Sequence, residues 1–129
     1  MENKKRLEES KLFTPYKLGS VTLRNRVIRS AAFESMGKDF APTQQLKDYH
    51  VSVARGGVGM TTVAYASINR SGISFNKQLW LRDEIVPALR DLTDAVHNEG
   101  AAVGIQLGHC GNMTHWSTAG SFPVSASNG

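Results

Sequence analysis

Residues 101–111 read Ala101-Ala-Val-Gly-Ile-Gln-Leu-Gly-His-Cys-Gly111. The stretch opens as an apolar run suited to a buried strand. It ends among small residues that carry two hydrogen-bonding side chains, Gln106 and His109. A helix-like segment, residues 83–99, comes immediately before it. In a parallel α/β sheet, ligands gather at the carboxyl ends of the strands. Polar groups therefore stand at an expected ligand position.

Working outward, Ile85, Leu89, Leu92 and Val96 recur at helical spacing and share one face. Asp83 is a candidate cap for the start of this helix and Gly100 for its end, and Pro87 fits only near the first turn. Upstream, residues 58–64 are apolar or small throughout, as in a strand covered on both faces. Before them Leu46, Tyr49, His50, Val53 and Ala54 follow a helical period, opened by Pro42 with Thr43 as N-cap and stopped by Gly56-Gly57. Residues 27–32 read as a strand ending in small residues, followed by a loop over 34–41. Residues 12–18 and 21–23 flank Gly19-Ser20 and predict a hairpin, with Pro15 assigning the first strand to an edge. Residues 65–82 form a long connection, a length often associated with function. The order hairpin, β, α, β, α, β, loop implies an α/β fold with a parallel sheet. The tail, 117–129, is rich in Ser, Ala, Gly and Asn and adds no closing element.

Composition narrows the function classes. The 129 residues suffice for one domain, with 40% hydrophobic and 20% charged residues. The net charge of +4 arises partly in a mixed-sign polar leader, residues 1–11, where Lys4, Lys5, Arg6 and Lys11 alternate with Glu2, Glu8 and Glu9. No basic stripe interleaves with aromatics, so no nucleic-acid partner is expected. Cys110 is the single cysteine, which suits a reducing compartment. No segment reads as a bilayer span or as a signal-peptide core, so no membrane partner and a cytoplasmic location are expected. His109 and His115 lack the companions a zinc site needs, and no metal is expected. Gly56-Gly57-Val58-Gly59 enters a strand instead of opening a helix, the wrong context for a phosphate cradle. Arg24, Asn25 and Arg26 are expected to bind local carbonyls or carboxylates, and Cys110 and His97 to serve structure.

Five motifs in order carry a resemblance: Leu12-Phe13-Thr14-Pro15, Leu23-Arg24-Asn25-Arg26-Val27-Ile28, Ala54-Arg55-Gly56-Gly57-Val58-Gly59-Met60, Asp94-Ala95-Val96-His97, and Gly100 through Gly111 with Gln106-Leu107-Gly108-His109-Cys110-Gly111. Over residues 12–112 the chain resembles the Old Yellow Enzyme family of FMN-dependent NAD(P)H oxidoreductases. The resemblance implies a (β/α)₈ TIM barrel with FMN at the carboxyl ends of its strands. Such barrels take about 250 residues. The chain then corresponds to the N-terminal third only: a leader, 1–11, and a partial FMN-binding domain, 12–129.

The resemblance also implies site residues. Gln106 would hydrogen-bond the flavin's pyrimidine edge, since an amide offers both donors and an acceptor; the plain alternative is an amide satisfying local backbone. Ser30, Ala31, Ala32 and Phe33 would bring backbone close to the ring. Ala32 and Phe33 replace residues that are often polar in relatives. Ala64 and Tyr65 would deliver a second contact, with Tyr65 as a rim aromatic the alternative. His109 would line the site mouth or pack its own loop. The residues that receive the substrate's oxygen, the proton-donating tyrosine and the phosphate site belong to later family strands, so no catalytic residue is assigned. The implied activity of a complete protein is reduction of FMN by NADH or NADPH, then hydride transfer to an activated alkene or similar small molecule, with a homo-oligomer possible at full length. This chain alone is expected to be inactive. Two other readings stand beside it: a non-catalytic remnant without flavin binding, and a different (β/α)₈ enzyme, such as an aldolase, sharing only the architecture.

Overall fold

Ser10 caps a 3₁₀ turn at Lys11–Phe13 by accepting from the Leu12 N–H. The computed structural model describes residue 6 and residues 9–127, and most of the leader lies outside them. An antiparallel hairpin follows, β1 (Tyr16–Leu18) and β2 (Val21–Leu23). Leu12 and Phe13, expected in the first strand, sit instead in the 3₁₀ turn. Pro15 has no N–H to pair, and β1 starts just after it.

The next strand, β3 (Ile28–Arg29), is much shorter than the stretch 27–32 expected from sequence. Side chains replace ladder bonds beyond it. Arg29 Nη1 donates to the Thr62 carbonyl at 2.6 Å and Nη2 to the Ala32 carbonyl at 3.0 Å, while the Ala64 N–H is taken by Glu34. In the loop beyond, Asp39 and Phe40 hold left-handed backbone at φ 51° and 60°. Their carbonyls are secured by Arg82, and that of Phe40 also by the Trp80 N–H.

Helix α1 (Gln44–Arg55) begins where expected, with the Thr43 hydroxyl accepting from the Leu46 N–H at 3.2 Å. It stops at Gly56, and Gly57 turns the chain away at φ 100°, a conformation that favours glycine. Strand β4 (Met60–Ser67) outruns the expected 58–64 at its carboxyl end. Within the expected loop 65–82 lies a further strand, β5 (Leu79–Trp80). Helix α2 (Val86–Asn98) is preceded by a 3₁₀ turn at Asp83–Ile85 and carries Pro87 in its first turn. Asp83 lies inside that 3₁₀ turn and caps nothing, although its charge still suits a helix N-terminus. Strand β6 (Ala102–Gly108) and a short helix, α3 (Trp116–Ala119), complete the order.

β4 is the centre of one parallel sheet. β6 runs along one of its edges, and β3 and β5 share the other, paired at Met60–Thr61 and at Ala66–Ser67 respectively. The helices cover one face. Leu46, Ala54, Val63, Ala66, Leu79, Leu92, Val96 and Ala101 form the buried core there, with Val103 and Ile105 packed against it. Arg24 ties the layers together. Its guanidinium donates to the carbonyls of Val58 at 2.9 Å, Glu99 at 2.7 Å and Ala54, joining the ends of both helices to the entry of β4. Asn25 donates to the Gly57 carbonyl at 2.6 Å, so these residues bind local backbone as expected.

Strand alternation then assigns the other face. With Val103 and Ile105 turned to the helices, Gly104 and Gln106 turn away from them. Ile28, Met60 and Ala102 share that side by register, and Gly104 lies against the Met60 methyl. This inner face is open among the described residues: Ile28 is 46% exposed, and Gln106 is exposed. No described helix is long and apolar enough to cross a membrane.

Candidate functional site at the strand ends

The carboxyl ends of β4 and β6 meet at one end of the sheet, and the chain leaving β3 at Arg29, level with Thr61, runs on toward them as far as Phe33 beside Tyr65. The β4–β6 register runs Val63↔Ile105, then shifts to Ala66↔Leu107. Ala64 and Tyr65 form the resulting bulge, and Gln106 is level with it across the ladder. Bulges re-aim side chains next to functional sites. Here the bulge brings a buried Ala64 and a half-buried Tyr65 beside an exposed amide.

The segment after β3 closes on the same bulge. Phe33 meets the Tyr65 ring edge-on, centroids 5.5 Å apart, and stacks on Phe75 at 5.0 Å. The Tyr65 hydroxyl donates to Ser74 Oγ at 2.9 Å. Ser30 and Ala32 are exposed, and Ala31 and Phe33 half-buried. The structure thus collects the sequence-derived residues Ser30–Phe33, Ala64, Tyr65 and Gln106 at one end of the sheet.

His109 has both ring nitrogens engaged. Nδ1 accepts the Gly111 N–H at 3.0 Å, which leaves Nε2 to donate to Ser71 Oγ at 3.2 Å. Its ring packs on Gly72, where a Cβ would stand 2.6 Å from the ring and from Ser67 Oγ. His109 therefore clasps the loop after β6 to the loop after β4. His115 is spent locally, its Nδ1 facing Ser117 Oγ at 2.7 Å.

Behind the strand ends lies a polar cluster that the sequence reading missed. Glu34 accepts from Arg29 Nη1 at 2.7 Å and from the Ala64 N–H, and stands 3.0 Å from His50 Nε2. His50 Nδ1 faces Thr61 Oγ1 at 2.8 Å. Burial alone raises the Glu34 pKa; hydrogen bonds from His50 and from backbone N–H groups, with the His50 charge, outweigh it and hold the carboxyl below its ordinary value. One signal was available: His50 falls on the buried stripe of α1, where an imidazole needs a partner. Gln78, also missed, is fully buried and accepts from the Ser74 N–H at 2.7 Å, ordering the loop that carries Phe75.

Residues 11–127 match the model of the NADH:flavin oxidoreductase / NADH oxidase family. The chain belongs to that family. Among family relatives, it is 44% identical over 100 residues to a 4,4'-dithiodibutanoate disulfide reductase of Rhodococcus erythropolis, covering 78% of this chain and 25% of the relative. It is 45% identical over 117 residues to a probable N-methylproline demethylase of Rhizobium meliloti, covering 89% and 17%. An NADPH dehydrogenase of Listeria welshimeri is 41% identical over 106 residues, covering 79% and 31%. An Old Yellow Enzyme homologue from Zymomonas mobilis superposes with TM-score 0.84 at 26% identity over 93% of this chain and 34% of that one. A morphinone reductase in complex with tetrahydroNAD gives 0.74 at 27% identity, over 83% and 29%. The fold is thus part of an Old Yellow Enzyme type barrel, and the chain spans at most about a third of these proteins.

Proposed function

We propose that the complete gene product is an FMN-dependent NAD(P)H oxidoreductase of Old Yellow Enzyme type, and that residues 12–129 are the N-terminal third of its barrel, inactive alone. One observation carries this reading: the Gln106 amide is exposed on the inner face, level with the Ala64–Tyr65 bulge and at the end of the sheet where parallel α/β folds gather their ligands. The residues present fit the group. An exposed amide can match alternating N–H and C=O groups on a ring edge. The small side chains of Ala31, Ala32 and Ala64 leave room for a planar ring close to backbone.

When bound, FMN would supply hydride transfer between NADH or NADPH and an activated alkene or related small molecule. Gln106 orients the ring by its edge. Ser30–Phe33 line one side of the ring's seat and Tyr65 its rim, with the Tyr65 hydroxyl held by Ser74. His109 keeps the β6 loop in place. The NADPH dehydrogenases among the relatives support NADPH as a reductant. A reducing, cytoplasmic compartment suits the single cysteine.

The exposed inner face also favours a second reading, a remnant that binds no flavin. The purified gene product separates the two. An oxidised-flavin absorbance band, with an in-frame continuation beyond codon 129 that supplies further strands, supports the enzyme. A colourless product with no continuation supports the remnant.

A further inference from the structure

Glu34 stands behind the strand ends, and its polar partners are Arg29, Ala64 and His50, not Gln106 or Tyr65. Its side chain is only 2% exposed. Burying a carboxylate is costly unless it is paired, and apolar residues of similar volume often serve stability as well. The pairing here is specific. Both carboxylate oxygens accept the Ala64 N–H, at 3.1 and 3.3 Å. Arg29 Nη1 donates to the same carboxylate at 2.7 Å, while Arg29 Nη2 donates to the Ala32 carbonyl at 3.0 Å. One side therefore fixes the bulge at Ala64–Tyr65, and the other fixes the segment 30–33. His50, which faces Thr61, stands 3.0 Å from the carboxylate on the α1 side, away from both of these contacts.

We infer that Glu34 is a positioning residue for the flavin: its carboxylate sets the spacing between the segment 30–33 and the bulge at 64–65. The inference rests on the FMN reading proposed above. Ring-contacting groups must be held to within about 0.5 Å, and supporting residues behind them do the holding. Glu34→Gln keeps the shape but leaves one acceptor oxygen; turned to Arg29 and His50, it sets the NH2 against the Ala64 N–H, donor against donor. The clamp then loosens at Ala64.

Two readouts on the complete gene product test this. The first is FMN affinity, by quenching of flavin fluorescence, for wild type, Glu34→Gln and Thr61→Val. Thr61→Val removes the anchor of His50 on the helix side and leaves the Glu34–Ala64 and Arg29–Ala32 bonds in place. Glu34→Gln should raise Kd about tenfold or more, and Thr61→Val should keep it within about twofold, although both lower Tm. The second is hydrogen exchange in the flavin-free protein: the Ala64 amide should exchange faster in Glu34→Gln by more than the Val96 amide does. Should Glu34→Gln fail to fold, Glu34→Asp carries the test. It keeps the charge facing Arg29 and His50 but falls one methylene short of Ala64, and it should also weaken FMN binding.

The inference is overturned if a folded Glu34 variant binds FMN as wild type does, or if Thr61→Val loses affinity as much at the same loss of Tm. A wild type that takes up no FMN overturns the underlying flavin reading and the positioning role with it. In that case the exchange comparison, which needs no flavin, still reports whether the carboxylate clamps Ala64.

Discussion

The helix-facing and inner faces of this sheet share the same strands and have opposite fates. On the helix side, Leu46, Val63, Leu92 and Val96 are at most 2% exposed, and the layer is satisfied by residues near in sequence. On the inner side, Ile28 is 46% exposed and Gln106 is exposed. A βαβ unit can bury one face of its sheet with its own crossover helices. The inner face of a barrel is covered only when the remaining strands close it. Stability should therefore reside on the helix side, and flavin chemistry on the inner side.

The largest stability effect should come from the closed face. Leu92→Ala removes a side chain that is 1% exposed, and should cost about 2–5 kcal/mol by urea denaturation. An equal loss from Ile28→Ala on the open face would erase the distinction between the two sides. Next comes the clasp at the site mouth. Gly72→Ala places a methyl against the His109 ring and Ser67 Oγ and should cost about 1–3 kcal/mol. Adding His109→Ala should return part of that loss, and a double-mutant cycle with no coupling would show that the ring does not pack there.

The polar cluster behind the strand ends should govern the acid limb of stability. Glu34 has a folded pKa below the ordinary value of 4.5. Its contribution is complete above that pH and is lost as pH falls through the folded value. Glu34→Gln should flatten the decline in Tm below about pH 4.5. An unchanged acid limb would mean that the carboxylate is not paired in solution. The smallest stability effect should be at the site itself: Gln106→Ala should alter unfolding free energy by no more than about 0.5 kcal/mol, because the side chain is exposed.

Legibility in the sequence followed the same division. Helix α1 was readable from Thr43 to Gly56 because a cap, a stripe and a glycine stop are all local signals. Arg24 and Asn25 were readable as backbone binders, whereas Arg26 lays its guanidinium over the Tyr16 ring instead. The end of β3 was not readable, because long-range side-chain bonds replace its ladder: Arg29 to Thr62, and Glu34 to Ala64. Nor was the end of β4, which runs past the bulge because Ala66 and Ser67 pair with β5 and β6. β5 was hidden because two residues, Leu79 and Trp80, carry no period of their own and pair only once β4 is in place. The candidate site was visible by its residues at Gln106 and 30–33. Its support at Glu34 and His50 was not, since nothing in the spacing of those two residues announces a contact across a loop and a helix.

The most direct measurement is an FMN titration of the complete gene product beside its Gln106→Ala variant. Tight binding by wild type, with Kd raised about tenfold or more in the variant at unchanged Tm, is the expected result for an amide that holds the ring edge. Equal affinity in both proteins, or no flavin uptake by wild type, would contradict it.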